Sequence, residues 1–262
     1  MPGLYERDYS RLTEAEQVRQ NEIDQASIIT GSPFRRNCYH EYPKAIRHYL
    51  SLFPNNFMDI VDLQDSGELN QQCDSFETLL NGPITELDIK RFIQSNHYYH
   101  IPASILKYYP FGHHGAYVFK EFSLGTSYVA DYLLVGDSSD GHQFVFVEFE
   151  NPYNNIILTD GDFGATIRNG INQINDWKGF IESNFQTITT EFRRYTSKTL
   201  PDEFYRFDST RMNYVVVAGR RSDFSDKARL LRRRLESENK IKLLHYDNLL
   251  DISRRAIGEA TY

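Results

Sequence analysis

HQFVFVEFENP, His142 to Pro152, is the stretch whose reading decides the fold. Its apolar run Phe144, Val145, Phe146, Val147 has no polar face, the pattern of a strand buried on both sides in the middle of a sheet. The run ends in two acids, Glu148 and Glu150, and the two-residue period of a strand sets both carboxylates on one face. Asn151-Pro152 stops the strand, because proline has no amide hydrogen for the ladder and biases its predecessor toward extended or turn geometry. Two acids therefore sit at the open end of a central strand. A charged strand end is ordinarily just solvated, so the flanking sequence has to decide whether this one is a site.

Upstream, Tyr117 to Phe122 alternates as a strand, Ser123 to Thr126 turns the chain, and Ser127 to Val135 (SYVADYLLV) is a second strand with a single charge, Asp131. An acid among apolar neighbours is costly unless it is paired, hydrogen-bonded or metal-bound. Gly136 to Gly141 (GDSSDG) is predicted to be the hairpin loop into the opening stretch, which brings Asp131 near Glu148 and Glu150. Earlier still, Asn81-Gly82-Pro83 breaks the chain. Thr85 then caps a helix with Asp88 three residues on, and Glu86 lies in its first turn, where a carboxylate suits either the helix dipole or a ligand role. Pro102 opens a short helical piece through Leu106. His97, His100, His113 and His114 have no zinc-ligand spacing and are read as surface histidines.

Downstream, Ile167, Ile171, Ile174, Trp177 and Ile181 step as one face of a helix, with Gln173 and Lys178 flanking the apolar stripe. Residues 186–211 are polar and are read as a surface excursion. Tyr214 to Ala218 (YVVVA) is another buried strand ending at Gly219-Arg220-Arg221. A helix through about Glu238, a strand from Ile241 to His245 and a last helix from about Asp247 follow. Strands alternating with helices imply a mixed sheet flanked by helices, an α/β class. Before the breaker, residues 1–80 form a smaller N-terminal region of unassigned role, with an amphipathic helix in PKAIRHYLSLF and a surface helix between Thr13 and Gln25. Residues 81–262 form the main domain.

The chain has 262 residues with 18 Tyr, 18 Phe and one Trp, and no apolar run long enough to span a membrane. No signal-peptide layout opens it, so a cytoplasmic location is expected. Cys38 and Cys73 have no CxxC partner, which points to reduced thiols rather than a zinc site or disulfide. The formal charge of −7 is uneven: 16 basic residues face 11 acidic ones from Glu191 onward, and 13 face 25 before it. An acidic half with a carboxylate cluster and an arginine-rich half suit a metal-dependent enzyme acting on a polyanion. Three carboxylates at one strand end, with an acidic helix start and a helix glutamine, are also the donor type of a hard cation such as Mg²⁺.

Taken in order, Glu86 on a helix, Asp131 on a strand, the hairpin, Glu148-Phe149-Glu150 and Gln173 on a helix resemble the PD-(D/E)xK nuclease superfamily. VADYLLVGDSSDGHQFVFVEFENP, INQINDWKGFI and VVVAGR together resemble more narrowly the nuclease domain of the Shedu anti-phage defence (SduA) family, over about Pro83 to the C-terminus. The resemblance implies a restriction-endonuclease-like fold and a metal-dependent endonuclease hydrolysing DNA with Mg²⁺ or Mn²⁺. Asp131, Glu148 and Glu86 would be metal ligands, and Asp131, Glu148, Glu150 and Gln173 the catalytic set. Arg220, Arg221 and Lys178 would contact nucleic acid, and the chain is expected to act as a homo-oligomer. Arg220 is the preferred single contact, expected at the active-site end of the sheet; the RLLRRR run, Arg229 to Arg234, is equally readable as a DNA patch or a solvated helix face. One departure stands out: Glu150 occupies the place of the superfamily lysine, leaving Lys178 or Lys120 to supply a positive charge. The alternative function is therefore a nuclease-fold module that binds nucleic acid or a phage component as a sensor without cutting.

Overall fold

A computed structural model describes residues 3–29 and 34–262. The chain runs through helices α1 (Glu14–Ala26), α2 (Lys44–Leu50), α3 (Ser66–Leu80), α4 (Glu86–Asn96) and the short α5 (His100–Ala103) before the first strand. Strands β1 (Gly115–Leu124), β2 (Tyr128–Ser138) and β3 (Gly141–Phe149) follow, then α6 (Ala165–Ser183), α7 (Phe185–Phe192), β4 (Met212–Val217), α8 (Asp226–Asn239), β5 (Ile241–Leu244) and α9 (Tyr246–Ala256). The five strands form one sheet in the order β1-β2-β3-β4-β5. The first three are antiparallel, while β3, β4 and β5 run parallel, the mixed sheet of an α/β fold.

β3 is the central strand, which explains why Phe144 to Val147 carries no polar residue. Val145, Val147 and Phe149 enter one core layer together with Phe76, Ile89, Ile93 and Leu249 from α3, α4 and α9. Phe144 and Phe146 enter the other, with Ile167, Ile174 and Trp177 of α6 and Phe192 of α7. Each such side chain contributes about 1.5–3 kcal/mol by leaving water. Glu148 and Glu150 continue the period of Phe144 and Phe146, so they emerge on the α6 side.

Thr85 caps α4 as expected, accepting from the Asp88 amide while the Asp88 carboxylate accepts from the Thr85 amide. α1 lies on the surface with only Ile23 buried. Both cysteines are free and buried. Three expectations need correction. The β2–β3 loop is shorter than GDSSDG, because Gly136 to Ser138 pair with Gly141 to Gln143 and leave only Ser139 and Asp140 to turn. Residues 186–211 are no surface excursion: Ile188, Phe192 and Phe204 are buried, and Phe192 packs edge-on against Phe204 at 4.8 Å. Their aromatic spacing is masked in sequence by the intervening threonines and charges. His100 is buried rather than exposed, with Nε2 donating to the Ser253 carbonyl at 2.8 Å.

Residues before Asn81 share the sheet's two cores. Leu4, Leu63 and Phe76 join one layer, Phe53 and Phe57 the other. The segment also caps the outer edge of β1, where the Met58 amide donates to Ala116 O (2.8 Å) and the Val118 amide to Asn56 O (2.9 Å). That pairing removes an open sheet edge. Beneath it lies a buried ion pair, Arg47 Nε to Asp59 Oδ2 at 2.7 Å, with side chains 8 % and 0 % exposed. Asp59 also accepts from the Val61 amide and the Tyr39 hydroxyl, and Arg47 donates to the Tyr42 carbonyl.

Candidate metal and catalytic site

At the C-terminal end of β3 the sheet opens. Pairing of β2 with β3 ends at Tyr132–Val147, and the Phe149 amide, which faces β2, donates instead to Asp131 Oδ2 at 2.8 Å. The acid thus substitutes for a ladder carbonyl, and this local bond helps keep a buried carboxylate in the strand. On its other flank β3 stays paired: the Glu150 amide donates to Val217 O at 2.8 Å, and the Tyr246 hydroxyl donates to Glu150 O at 2.8 Å. The peptide of Glu150 is therefore held at both its amide and its carbonyl, which leaves the side chain to be placed by helix α6. A Cβ on Gly170 of that helix would lie 3.1 Å from Glu150 Cγ and 2.9 Å from Val216 Cγ1. Only a glycine there lets the helix pass so close.

Asp131 Oδ1 is bonded at 2.7 Å to Nζ of Lys90, whose ammonium also holds Glu86 Oε1 at 2.6 Å. Lys90 comes from α4, on the opposite side of the sheet from α6, and reaches Asp131 across the strand end; its side chain is 21 % exposed. Burial works to lower its pKa, but Asp131 and Glu86 overcome that and hold it above the ordinary lysine value. The cluster thus contains Glu86, Asp131, Glu148 and Glu150 against one cation. Its electrostatics follow from that imbalance. Glu148 is buried, its Oε2 has no hydrogen-bond partner among the described residues, and burial with the neighbouring negative charges pushes its pKa up to about 9. Burial, then Glu86 and Asp131, push Glu150 up to about 7.

The structure therefore brings Asp131, Glu148, Glu150 and Glu86 together and adds Lys90, which the sequence reading passed over. Its signal was present: Glu86 and Lys90 are four residues apart on a helix, the spacing at which such pairs meet. Gln173 is half buried one turn beyond Gly170 and makes no side-chain hydrogen bond among the described residues. Lys178 stands eight residues past Gly170, about 12 Å along the helix at 1.5 Å per residue, and is set apart from the cluster. It donates to the Asn239 carbonyl at 2.5 Å and lies over the Tyr214 ring. Lys120 points to the Tyr99 hydroxyl.

Arg220 does follow β4 at the carboxylate end of the sheet, carried there by Gly219, whose φ of +72° suits a glycine. Its charge, however, is engaged. Arg220 Nη2 and Nε hold Asp247 at 2.9 and 3.1 Å, while Nη1 donates to the last carbonyl of α3, Leu80, and to the Tyr153 hydroxyl. Arg221 pairs with Asp251. Sequence alone shows these arginines but not the acids of α9 that meet them.

Among the described residues no helix is long and apolar enough to cross a membrane. No curated protein matches the chain. A family model described as Shedu protein SduA, C-terminal, matches residues 84–250, which contain every residue of the cluster. With well over half its length in that match, the chain belongs to the Shedu SduA family, and so to anti-phage defence.

Proposed function

We propose that the cluster at the end of β3 is a divalent-metal site at which this chain hydrolyses DNA phosphodiester bonds. The observation that carries the reading is the charge imbalance: four carboxylates cluster with one lysine, which bonds two of them, and a buried oxygen, Glu148 Oε2, has no partner among the described residues. The donor set suits a hard cation in its chemistry. Among the described residues no three His, Cys, Asp or Glu side chains are grouped to hold a metal alone. Mg²⁺ commonly takes only one or two carboxylates and completes its shell with water and substrate phosphate. Asp131 and Glu148 would supply that pair. In this proposal Glu86 serves as the second partner of the Lys90 ammonium rather than as a ligand.

When bound, Mg²⁺ or Mn²⁺ would neutralise charge on the phosphate and make water a better nucleophile. The chain's own groups do the rest. With a pKa near 7, Glu150 is suited to accept a proton from the attacking water at a carboxylate oxygen under neutral conditions. Tyr246 and Val217 fix its backbone, and Gly170 sets the wall against which its side chain lies. Gln173 offers an unengaged amide one turn away. Phosphate contacts fall to Arg233 and Arg234 on α8, which are exposed and form no ion pair among the described residues, rather than to Arg220.

One observation favours the second reading, a module that binds without cutting: Lys90 already satisfies Asp131 Oδ1. Incubating the full chain with linear and circular DNA, in Mg²⁺, in Mn²⁺ and with a chelator, separates the two. Metal-dependent, chelator-sensitive cutting is expected. DNA retention without cutting under every condition would transfer the protein to the binder class.

A further inference from the structure

We infer that Lys90 is a built-in placeholder for the metal: its ammonium occupies the ligand oxygen of Asp131 in the metal-free protein and has to leave when a divalent cation enters. The inference rests on the proposed metal site and concerns what guards it. Asp131 has two oxygens. One, Oδ2, accepts from the Phe149 amide at 2.8 Å and so belongs to the sheet. The other, Oδ1, takes no backbone hydrogen bond and is the oxygen turned to the cluster, and Lys90 Nζ sits on it at 2.7 Å. A Mg²⁺ ligand distance is about 2.0–2.1 Å, so an ion on Oδ1 and an ammonium at hydrogen-bond distance from the same oxygen would be like charges in contact.

The geometry also shows where the lysine stays when displaced. Glu86, one turn earlier on α4, already shares the ammonium at 2.6 Å. Lys90 can keep that partner while giving up Asp131, because its four-carbon stem is flexible and the capping box at Thr85 holds the helix itself in place. Glu86 is thereby explained as the parking group of the lysine rather than a ligand. Lys90 is a positioning residue in this account, since it acts on the metal through Asp131.

The consequence is unusual for a charged site: removing a group from the cluster should strengthen metal binding. Mn²⁺ titrated into the metal-free full chain, with free Mn²⁺ followed by electron paramagnetic resonance, reads this without any cleavage assay. Lys90→Gln keeps a polar side chain without the charge and is expected to bind Mn²⁺ at least about tenfold tighter, the scale of one charge-assisted hydrogen bond. Lys90→Arg retains the cation and should bind as weakly as wild type; Asp131→Asn should lose binding. Should Lys90→Gln bind no tighter than wild type while Asp131→Asn loses the ion, the placeholder role is wrong and the metal site stands. Equal binding by Asp131→Asn and wild type removes the metal site itself, and the placeholder with it. A Lys90→Gln protein with wild-type circular dichroism and weaker Mn²⁺ binding also contradicts the inference, since it would make the lysine a support for the site.

Discussion

Two buried charge clusters in this molecule are built on different terms. In the N-terminal region Arg47 and Asp59 meet one to one, and backbone and tyrosine partners complete the hydrogen bonding of the pair. At the end of β3, four carboxylates cluster with one ammonium, that of Lys90, which bonds only Glu86 and Asp131, and Glu148 Oε2 has no partner among the described residues. The first arrangement is complete as it stands and ties α2 to the segment that covers the edge of β1. The second offsets its excess acids by holding protons, with Glu148 pushed up to about 9 and Glu150 to about 7, and a bound cation would take their place in the proposed site. A balanced buried pair therefore reads as architecture, and an unbalanced one as a site.

The comparison breaks most visibly in activity. Glu150→Ala should cut metal-dependent DNA cleavage by roughly two to four orders of magnitude, the usual cost of losing a positioned acid–base group, with little change in melting temperature. Full-rate cleavage by the variant would return Glu150 to the solvated strand end. In stability the ranking reverses. Asp59→Asn leaves Arg47 buried without its counter-charge and should cost about 3–5 kcal/mol in urea unfolding. Glu148→Gln, which removes an acid whose charge the site disfavours, should leave the metal-free protein within about 1 kcal/mol of wild type. Equal losses from the two substitutions would erase the distinction between the clusters.

The smallest effect concerns buried groups that carry no charge. Burial holds the His48 and His100 imidazoles down at about 4, although each bonds a backbone carbonyl. The unfolded chain takes up those protons near pH 6.5 and the folded chain only near 4, so their stabilisation is complete above about pH 6.5 and is lost as pH falls toward 4. The difference in unfolding free energy between wild type and His100→Gln should therefore shrink from pH 7 to pH 5. A pH-independent difference would show that folding leaves the His100 pKa unchanged.

Much of this was legible in the residues. The apolar run of β3 announces a central strand, the Glu-x-Glu period gives a shared face, and a lone acid in SYVADYLLV marks a constrained position. The first segments, the α7 region and Lys90 were less so, for one physical reason. Their roles depend on partners far along the chain: Met58 on Ala116, Phe192 on Phe53 and Phe119, Lys90 on Asp131. Arg220 shows the same limit in reverse, since a cation at a strand end looks free until Asp247 is brought against it. Local periodicity reports which face a residue occupies, but not which charges cancel across the fold.

The central claim is that a divalent cation completes the charge of the β3 cluster, and thermal unfolding of the full chain over a Mn²⁺ series tests it most directly. An ion that binds only the folded state adds about 2.7 kcal/mol at a hundred times its dissociation constant, which for a chain of this size raises the melting temperature by several degrees. Wild type should show that rise, while Glu148→Gln and Asp131→Asn should melt at one temperature throughout. A wild-type melting temperature that ignores Mn²⁺, or one that climbs equally in the two variants, would contradict the account.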